Sequence, residues 1–426
     1  MFKVYEFIAR KLTNNDAKII LDNFFSLSML KMVTMLLPLA ILPHLAKTIN
    51  IELIGVLAIV TAIMSYVRTI IDYGFSYSAV RDIAADPANK KRNFNILSQV
   101  FFAKIILTFC ASFFLVLSYV FVPWLQKNEA LVFFSFINIV LLSISPDWFF
   151  QGIEKMRLIA IGEVLGKLLS FTLILILVKK NEDFILIPIL YSVGQTSTLF
   201  VYFFSGRRYV DFSEFRIPSI SEIYGILKDG WSVFINILFP NFYNSFSYIA
   251  VGYISGPAQV AIYDIARKFI SVSEIVITIL SRVYFPSVSR NILNHKGYIN
   301  KSILIGLFLV FFQVVCALVV VGWFFPASYQ YAETILLWQA LAPLVYALMM
   351  GYGVNYLIPI GEDKKLRNIT IISSLVGFVL VVIFTYFFGA LGAAMGVLMT
   401  WSVRAIMSYQ VYQETFSLIE INHNKK

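Results

Sequence analysis

Charge is scarce in this chain. Asp, Glu, Lys and Arg make up 14% of its 426 residues, where soluble domains carry about 25%. A water-soluble protein of this length needs more polar surface than that. Cysteine and histidine are scarcer still. Cys110 and Cys316 both lie inside apolar runs, which excludes a disulfide framework and a thiolate metal site. His44, His295 and His423 are too few and too scattered to build a metal centre. Motifs of catalysis are missing as well. No Walker sequence is present to hold ATP, and neither GxSxG nor HExxH occurs. Long extramembrane stretches are absent too: the longest connection on one face runs over about 206–230. Extramembrane catalysis therefore has little to work with, and neither an enzyme nor a resident cofactor is expected.

What the chain has in abundance is apolar side chain. Hydrophobic residues make up 59%, with 40 Phe, 23 Tyr and 6 Trp, and the mean hydropathy is +0.80. That composition excludes intrinsic disorder and predicts a multi-pass, all-α membrane protein. Apolar runs recur, each long enough to cross about 30 Å of hydrocarbon as a helix. They lie near 24–45, 51–75, 97–122, 130–150, 157–178, 184–205, 231–254, 260–285, 301–325, 333–359, 368–388 and 390–413. Before them, residues 1–23 lack the apolar core of a signal peptide and read as an interfacial helix or a solvated tail.

Twelve spans put both termini on one side of the membrane. Lys and Arg say which side, since cytoplasmic loops carry the excess. With the N-terminus inside, the inner segments hold 22 cations and the outer ones only Lys47, Lys127, Lys179 and Lys180. The reading is therefore N-in and C-in. The net charge of +10 reflects this partition and is not a nucleic-acid surface.

The second half echoes the first at an offset near 209. Gly152-Ile-Glu-Lys-Met-Arg157 closes span four and Gly361-Glu-Asp-Lys-Lys-Leu-Arg367 closes span ten; Pro38 in span one answers Pro240 in span seven. Six spans per half make the repeat a parallel one, with a cavity between the halves and rocking of one half against the other. The expected division is 1–215 and 216–426: two six-helix bundles around a central cavity.

Ionisable groups within spans are costly unless they face an interior or snorkel. Lys31, Lys104, Arg282 and Arg404 lie near cytoplasmic helix ends and can snorkel. Arg68 and Asp72 are an i,i+4 pair in span two, as are Glu163 and Lys167 in span five; Asp264 stands i,i+3 and i,i+4 from Arg267 and Lys268 in span eight. Such spacing lets each acid face a base. It serves either mutual neutralisation or the lining of a polar cavity. Cations outnumber acids within the spans, which suits an anionic cargo such as a pyrophosphate. Gly389 and Gly392-Ala-Ala-Met-Gly396 suit close helix packing. Asp147-Trp148 reads as an interfacial anchor or part of a gate.

Three segments carry a family resemblance. Asp72-Tyr-Gly-Phe-Ser-Tyr-Ser-Ala-Val-Arg81-Asp-Ile-Ala, Pro146-Asp-Trp-Phe-Phe-Gln-Gly-Ile-Glu-Lys-Met156 and Gly256-Pro-Ala-Gln-Val-Ala-Ile-Tyr-Asp-Ile-Ala-Arg267-Lys resemble bacterial polysaccharide flippases of the Wzx type. The resemblance implies a fold like that of the MATE-related multidrug, oligosaccharidyl-lipid and polysaccharide exporters. It implies a cargo of undecaprenyl-pyrophosphate-linked oligosaccharide, such as an O-antigen repeat unit, flipped from the cytoplasmic to the periplasmic leaflet of the inner membrane. Arg68, Arg267 and Lys268, with Lys31 and Lys104, are the positions that suit reception of the cargo. Asp72, Asp264, Glu163 and Lys167 suit ion pairing or coupling to H+ or Na+. The implied partners are the lipid-linked substrate, membrane lipids, and a polysaccharide polymerase with its chain-length machinery, with a monomer as the transport unit. Two other classes compete. A MATE-type cation-coupled drug exporter would rely on a few buried acids, and a membrane polymerase would need a sizeable external loop.

Overall fold

The computed structural model describes residues 36–211 and 217–424. Among them no strand occurs and the helices follow the apolar runs. In order they are α1 (Leu36–Thr48), α2 (Ile51–Asp72), α3 (Phe75–Ala84), α4 (Lys90–Phe121), α5 (Glu129–Ile144), α6 (Asp147–Gly152), α7 (Met156–Leu177) and α8 (Leu186–Gly206). The second half holds α9 (Ile220–Ser255), α10 (Pro257–Arg290), α11 (Asn294–Val315), α12 (Tyr331–Trp338), α13 (Ala342–Met349) and α14 (Asp363–Asn424). Eight of the described helices are long and apolar enough to cross a membrane, or nine if the bent pair through α12 and α13 is one span. The 62-residue α14 is two arms joined at Gly389, where φ is 57° and ψ −134°.

Sequence chemistry explains the helix ends. Pro123, Pro146 and Pro257 each stand at or beside a helix start, where a missing N–H costs nothing. Asn89 caps α4 by accepting from the Arg92 N–H at 3.1 Å. Ser219 and Glu222 close a reciprocal box at the head of α9: the Ser219 N–H donates to Glu222 Oε2 at 2.8 Å, and the Glu222 N–H to Ser219 Oγ at 3.3 Å.

The chain divides into two compact units. One holds the residues up to His44 with Met64–Ile237, the other Leu45–Ile63 with Leu238–Lys426. In the first, α7 and α8 pack through small residues: a Cβ on Gly166 would collide with Thr198 and the Gly194 carbonyl, and one on Gly194 with Ser170 and the Gly166 carbonyl. Membrane helices approach this closely because lipid offers no hydrophobic drive and contact must come from packing. In the second unit the same device joins the arms of α14, where Gly392 meets the Phe384 carbonyl and Gly396 the Val381 backbone. Gly55 of α2 likewise leaves room for the Pro257 carbonyl at the head of α10.

Two differences from the sequence reading concern the backbone. Span two, read as one long helix, is interrupted at Tyr73 (φ 46°) and Gly74 (φ 84°). A Cβ on Gly74 would sit 2.6 Å from Val233 Cγ1, while Tyr73 stacks on Phe234 with ring centroids 4.6 Å apart. Packing against α9 therefore holds the break. The repeat is also displaced by two residues from the alignment of Gly152 with Gly361. Glu154 (φ 58°) and Gly361 (φ 78°) are the left-handed residues that end spans four and ten. Each is followed by the same closing bond, from the Lys155 N–H to the Phe150 carbonyl and from the Glu362 N–H to the Leu357 carbonyl, both at 2.8 Å. That is one helix-stop motif used twice.

Candidate functional site

A cavity of about 460 Å³ lies inside the first unit. Its polar lining comes from helices that are otherwise apolar: Arg68 and Asp72 from α2, Lys104 from α4, Asp147 from α6, and Glu163 and Lys167 from α7. Asn138 and Gln195 add amide groups from α5 and α8. Three cations thus meet three carboxylates.

Asp72 is the hub of one side. Its Oδ2 accepts from Arg68 Nε at 3.1 Å and its Oδ1 from Lys104 Nζ at 3.0 Å. The two cations differ in freedom. The Arg68 side chain is about half exposed (49%), whereas that of Lys104 is 6% exposed. Lys104 therefore does not snorkel. Its ammonium turns inward and also donates to the carbonyl of Ser143. The local backbone explains this second bond. A continuous helix would give the Ser143 carbonyl the N–H of Asp147, but α5 ends at Ile144 and Ser145 is extended (ψ 125°) ahead of Pro146. The break orphans the carbonyl, and Lys104 satisfies it. On the opposite side Lys167 Nζ reaches Glu163 Oε2 at 3.4 Å, the i,i+4 contact that the spacing predicts.

Polar capacity in the lining exceeds these pairs. Gln195 Nε2 and Ser145 Oγ are buried and have no partner among the described residues. Buried polar groups are normally satisfied, so this wall is built to meet something hydrated or hydrogen-bonding.

The second unit holds its own charge cluster, on α10. Lys268 Nζ meets Asp264 Oδ2 at 2.6 Å. Arg267 does not share that acid. It reaches two turns along to Glu274, with Nη2 3.3 Å from Oε1, and its guanidinium lies over the Trp401 ring at 5.2 Å. The side chain of Arg267 is only 10% exposed, and that of Lys268 is 36% exposed. Aromatic groups fill out the neighbourhood: Tyr263 donates to Ser247 Oγ at 2.9 Å, and Trp401 packs on Tyr346. Lys31 lies outside the described residues.

The structure thus brings Arg68, Asp72, Lys104, Glu163 and Lys167 to one cavity, and Asp264, Arg267 and Lys268 to a separate cluster. Sequence reasoning missed the Ser143 carbonyl, although Pro146 was its signal. It read Asp147 as an interfacial anchor or part of a gate, and the structure places that residue just after Pro146 in the cavity wall. The Glu274 partner of Arg267 stands i+7, beyond the spacing normally read as a pair, and Trp401 is remote in sequence.

With the geometry in view, comparison with known proteins places the chain. The model of the family described as "Polysaccharide biosynthesis protein" matches residues 20–292. The chain belongs to this family. A relative described as "Putative O-antigen transporter" from Escherichia coli (strain K12) is 27% identical over 378 residues, covering 86% of this chain and 90% of that protein. Among solved structures, an inward-facing multidrug resistance MATE family transporter of the MOP superfamily superposes with a TM-score of 0.69 at 16% identity, covering 89% of this chain and 95% of that one. The lipid II flippase MurJ in an inward closed conformation gives 0.65 at 14% identity, covering 91% and 87%. At these identities the two structures show a shared all-helical MATE-type fold, now in a member of the polysaccharide biosynthesis family.

Proposed function

We propose that this chain is a flippase for lipid-linked oligosaccharide, of the O-antigen repeat-unit kind, carried on undecaprenyl pyrophosphate from the cytoplasmic to the periplasmic leaflet of the bacterial inner membrane. The observation that carries the reading is a cavity lined by three cations, three carboxylates and free amide and hydroxyl groups within an apolar helix bundle, in a chain of a polysaccharide biosynthesis family. Sugars need hydrogen-bonding groups and a pyrophosphate needs cations; both are expensive to keep within a membrane and mark a cargo path. The similarity to an O-antigen transporter along most of both chains supports the same reading.

In this reading Arg68 is the first receiver of the pyrophosphate, since it is half exposed and spends only Nε on Asp72. Lys104 holds Asp72 and the α5–α6 break in place behind it. Hydration of Asp72 then loosens Arg68 toward the anion, and H+ or Na+ is the coupling ion. Lys268 offers a second cationic position in the other unit. Both termini face the cytoplasm, alternating access moves the cargo, the monomer is the working unit, and a polymerase receives the product. The deciding experiment deletes the gene in its own host. Surface polysaccharide should disappear while lipid-linked repeat units accumulate, protected from reagents outside the inner membrane. Failure to form the lipid-linked unit at all would instead place the chain in synthesis. An unchanged surface with altered drug tolerance would favour a multidrug exporter.

A further inference from the structure

Three groups on the wall of the charged cavity are left over once its ion pairs have formed. Arg68 and Lys104 share Asp72, and Lys167 holds Glu163. Asp147 lines the same cavity, is exposed to it, and makes neither an ion pair nor a hydrogen bond among the described residues. Gln195 Nε2 and Ser145 Oγ are buried in the lining and are likewise without partners there. Gln195 as a residue is 8% exposed, so its orphan donor is deep in the bundle.

Neighbouring polar groups are spent differently. Thr198 and Ser170 also line the cavity, but their hydroxyls donate to backbone, Thr198 Oγ1 to the Gly162 carbonyl at 3.0 Å and Ser170 Oγ to the Leu190 carbonyl at 3.1 Å. Gln195 follows Gly194, where α8 lies against Gly166 of α7, so its stem leaves the helix at the tightest part of that seam. Tyr191 stands one turn earlier on the same side of α8 and lines the cavity too. What faces the cavity uncommitted is therefore an amide donor, a hydroxyl and a carboxylate, beside an aromatic ring. Those groups match a polyhydroxylated ring: the two carboxylate oxygens accept from sugar hydroxyls, the amide and serine bond its oxygens, and the aromatic ring covers its C–H face. We infer that Asp147, Gln195 and Ser145 hold a sugar ring of the cargo beside its pyrophosphate, and that Asp147 and Gln195 select among sugars by the placement of their hydroxyls. This inference rests on the flippase reading above.

The same groups reject other occupants. Asp147 repels phosphate oxygens, so it meets the neutral part of the cargo while the phosphates stay with Arg68 and Lys104. An apolar ligand would leave the Gln195 amide and the Asp147 carboxylate unpaired, which costs the full desolvation of each. A metal ion lacks ligands: no cluster of three or more His, Cys, Asp or Glu suited to one occurs among the described residues. Sites of this kind discriminate strongly, because a sugar lacking the right hydroxyl strands a buried polar group. The cavity volume, about 460 Å³, is within the range of sites for discrete ligands.

The test uses the full-length protein in detergent and two probes on the same carrier: lipid-linked repeat units extracted from a host strain lacking the gene, and undecaprenyl pyrophosphate without sugar. The variants are Asp147→Asn and Gln195→Leu, each close to its parent in size and on a different helix. Affinity for the lipid-linked units should fall about tenfold, the loss of a hydrogen bond to a charged or buried group, while affinity for undecaprenyl pyrophosphate stays within about twofold. Equal losses for both probes would overturn the assignment, since a damaged cavity weakens both alike. Unchanged affinity for the sugar-bearing probe in both variants would overturn it as well; in Asp147→Asn, such an affinity with transport lost would make that residue a proton carrier instead. If wild-type protein bound neither probe, the flippase reading itself would fall. If it bound both equally well, that reading would stand and the sugar site alone would fall.

Discussion

Lys104 reaches from the middle of α4 to Asp72 at the last residue of α2, Nζ to Oδ1 at 3.0 Å, and with the same ammonium caps the Ser143 carbonyl at the α5–α6 break. One buried cation thus ties three helices together at the floor of the charged cavity. Arg68, on the other oxygen of the same carboxylate, is left open to solvent. Two like-charged neighbours of one acid therefore differ in freedom, one buried and one open.

Replacing Lys104 with Met should act first on folding. Breaking a buried pair costs about 3–5 kcal/mol, and with Asp72 still 31% exposed a loss of about 2 kcal/mol is expected. The amount of membrane-inserted protein and its thermal midpoint should drop. Adding Asp72→Asn, which removes the carboxylate oxygen that Lys104 had bonded while Arg68 keeps its exposed position, should restore part of both. No recovery in the double variant would show that the Ser143 bond, not the ion pair, matters.

Arg68→Ala should behave oppositely. Insertion and thermal midpoint should stay near wild type, because the side chain is half exposed and such pairs contribute about 1 kcal/mol or less. Surface glycan per inserted protein should fall roughly tenfold or more, since hydrogen bonds to charged groups contribute about 1.5–3 kcal/mol. Arg68→Lys should recover only part, as Lys lacks the planar fork. Full activity in Arg68→Ala would remove this residue from the cargo site.

In the second unit, Arg267→Lys should keep the contact with Glu274 but weaken that with Trp401, lowering the thermal midpoint by a few degrees. Arg267→Ala should cost far more, because it leaves Glu274 facing the interior alone. Lys268→Ala, at a more open side chain, should spare stability and reduce glycan export. If Arg267→Ala were as stable as Lys268→Ala, the buried pair would contribute nothing to the fold.

Gly389→Ala tests the join in α14. The backbone there is at φ 57° and ψ −134°, outside the regions open to residues with a Cβ, and an added Cβ would lie 2.9 Å from Ser255 Oγ. A loss of about 2 kcal/mol or more is expected in a detergent unfolding assay. Gly361→Asn is the control: its φ of 78° has open space around it and Asn tolerates left-handed backbone. Equal losses in the two would show that crowding at Ser255 adds nothing.

How far the sequence foretold this arrangement depends on the distance over which each interaction acts. Local signals carried well. Apolar runs located the helices, and the i,i+4 spacing anticipated Arg68 with Asp72, Glu163 with Lys167 and Asp264 with Lys268. Lys104 with Asp72 could not be read this way, since 32 residues separate them and only tertiary packing brings them together. The helix-stop motif shared by spans four and ten centres on Glu154 and Gly361, two residues from the alignment of Gly152 with Gly361. Backbone handedness defines it, and Glu154 holds a conformation usually given to Gly, so the eye aligned glycines instead. Span two looked continuous because Tyr73-Gly74 lacks a proline; the break comes from packing on Val233 and Phe234.

The equal number of cations and carboxylates in the first-unit cavity has an electrical consequence. The fixed charges around the cavity sum to zero when all six groups are ionised, so an anionic headgroup carried past them takes its own charge through the field uncompensated. An interior-negative potential then drives an outward-moving anion by about 2.3 kcal/mol per charge for each 100 mV. A cavity with surplus cations travelling alongside the cargo would forfeit that push. In the flippase proposed above, three cations held against Asp72 and Glu163 would let the membrane voltage itself bias the direction of travel.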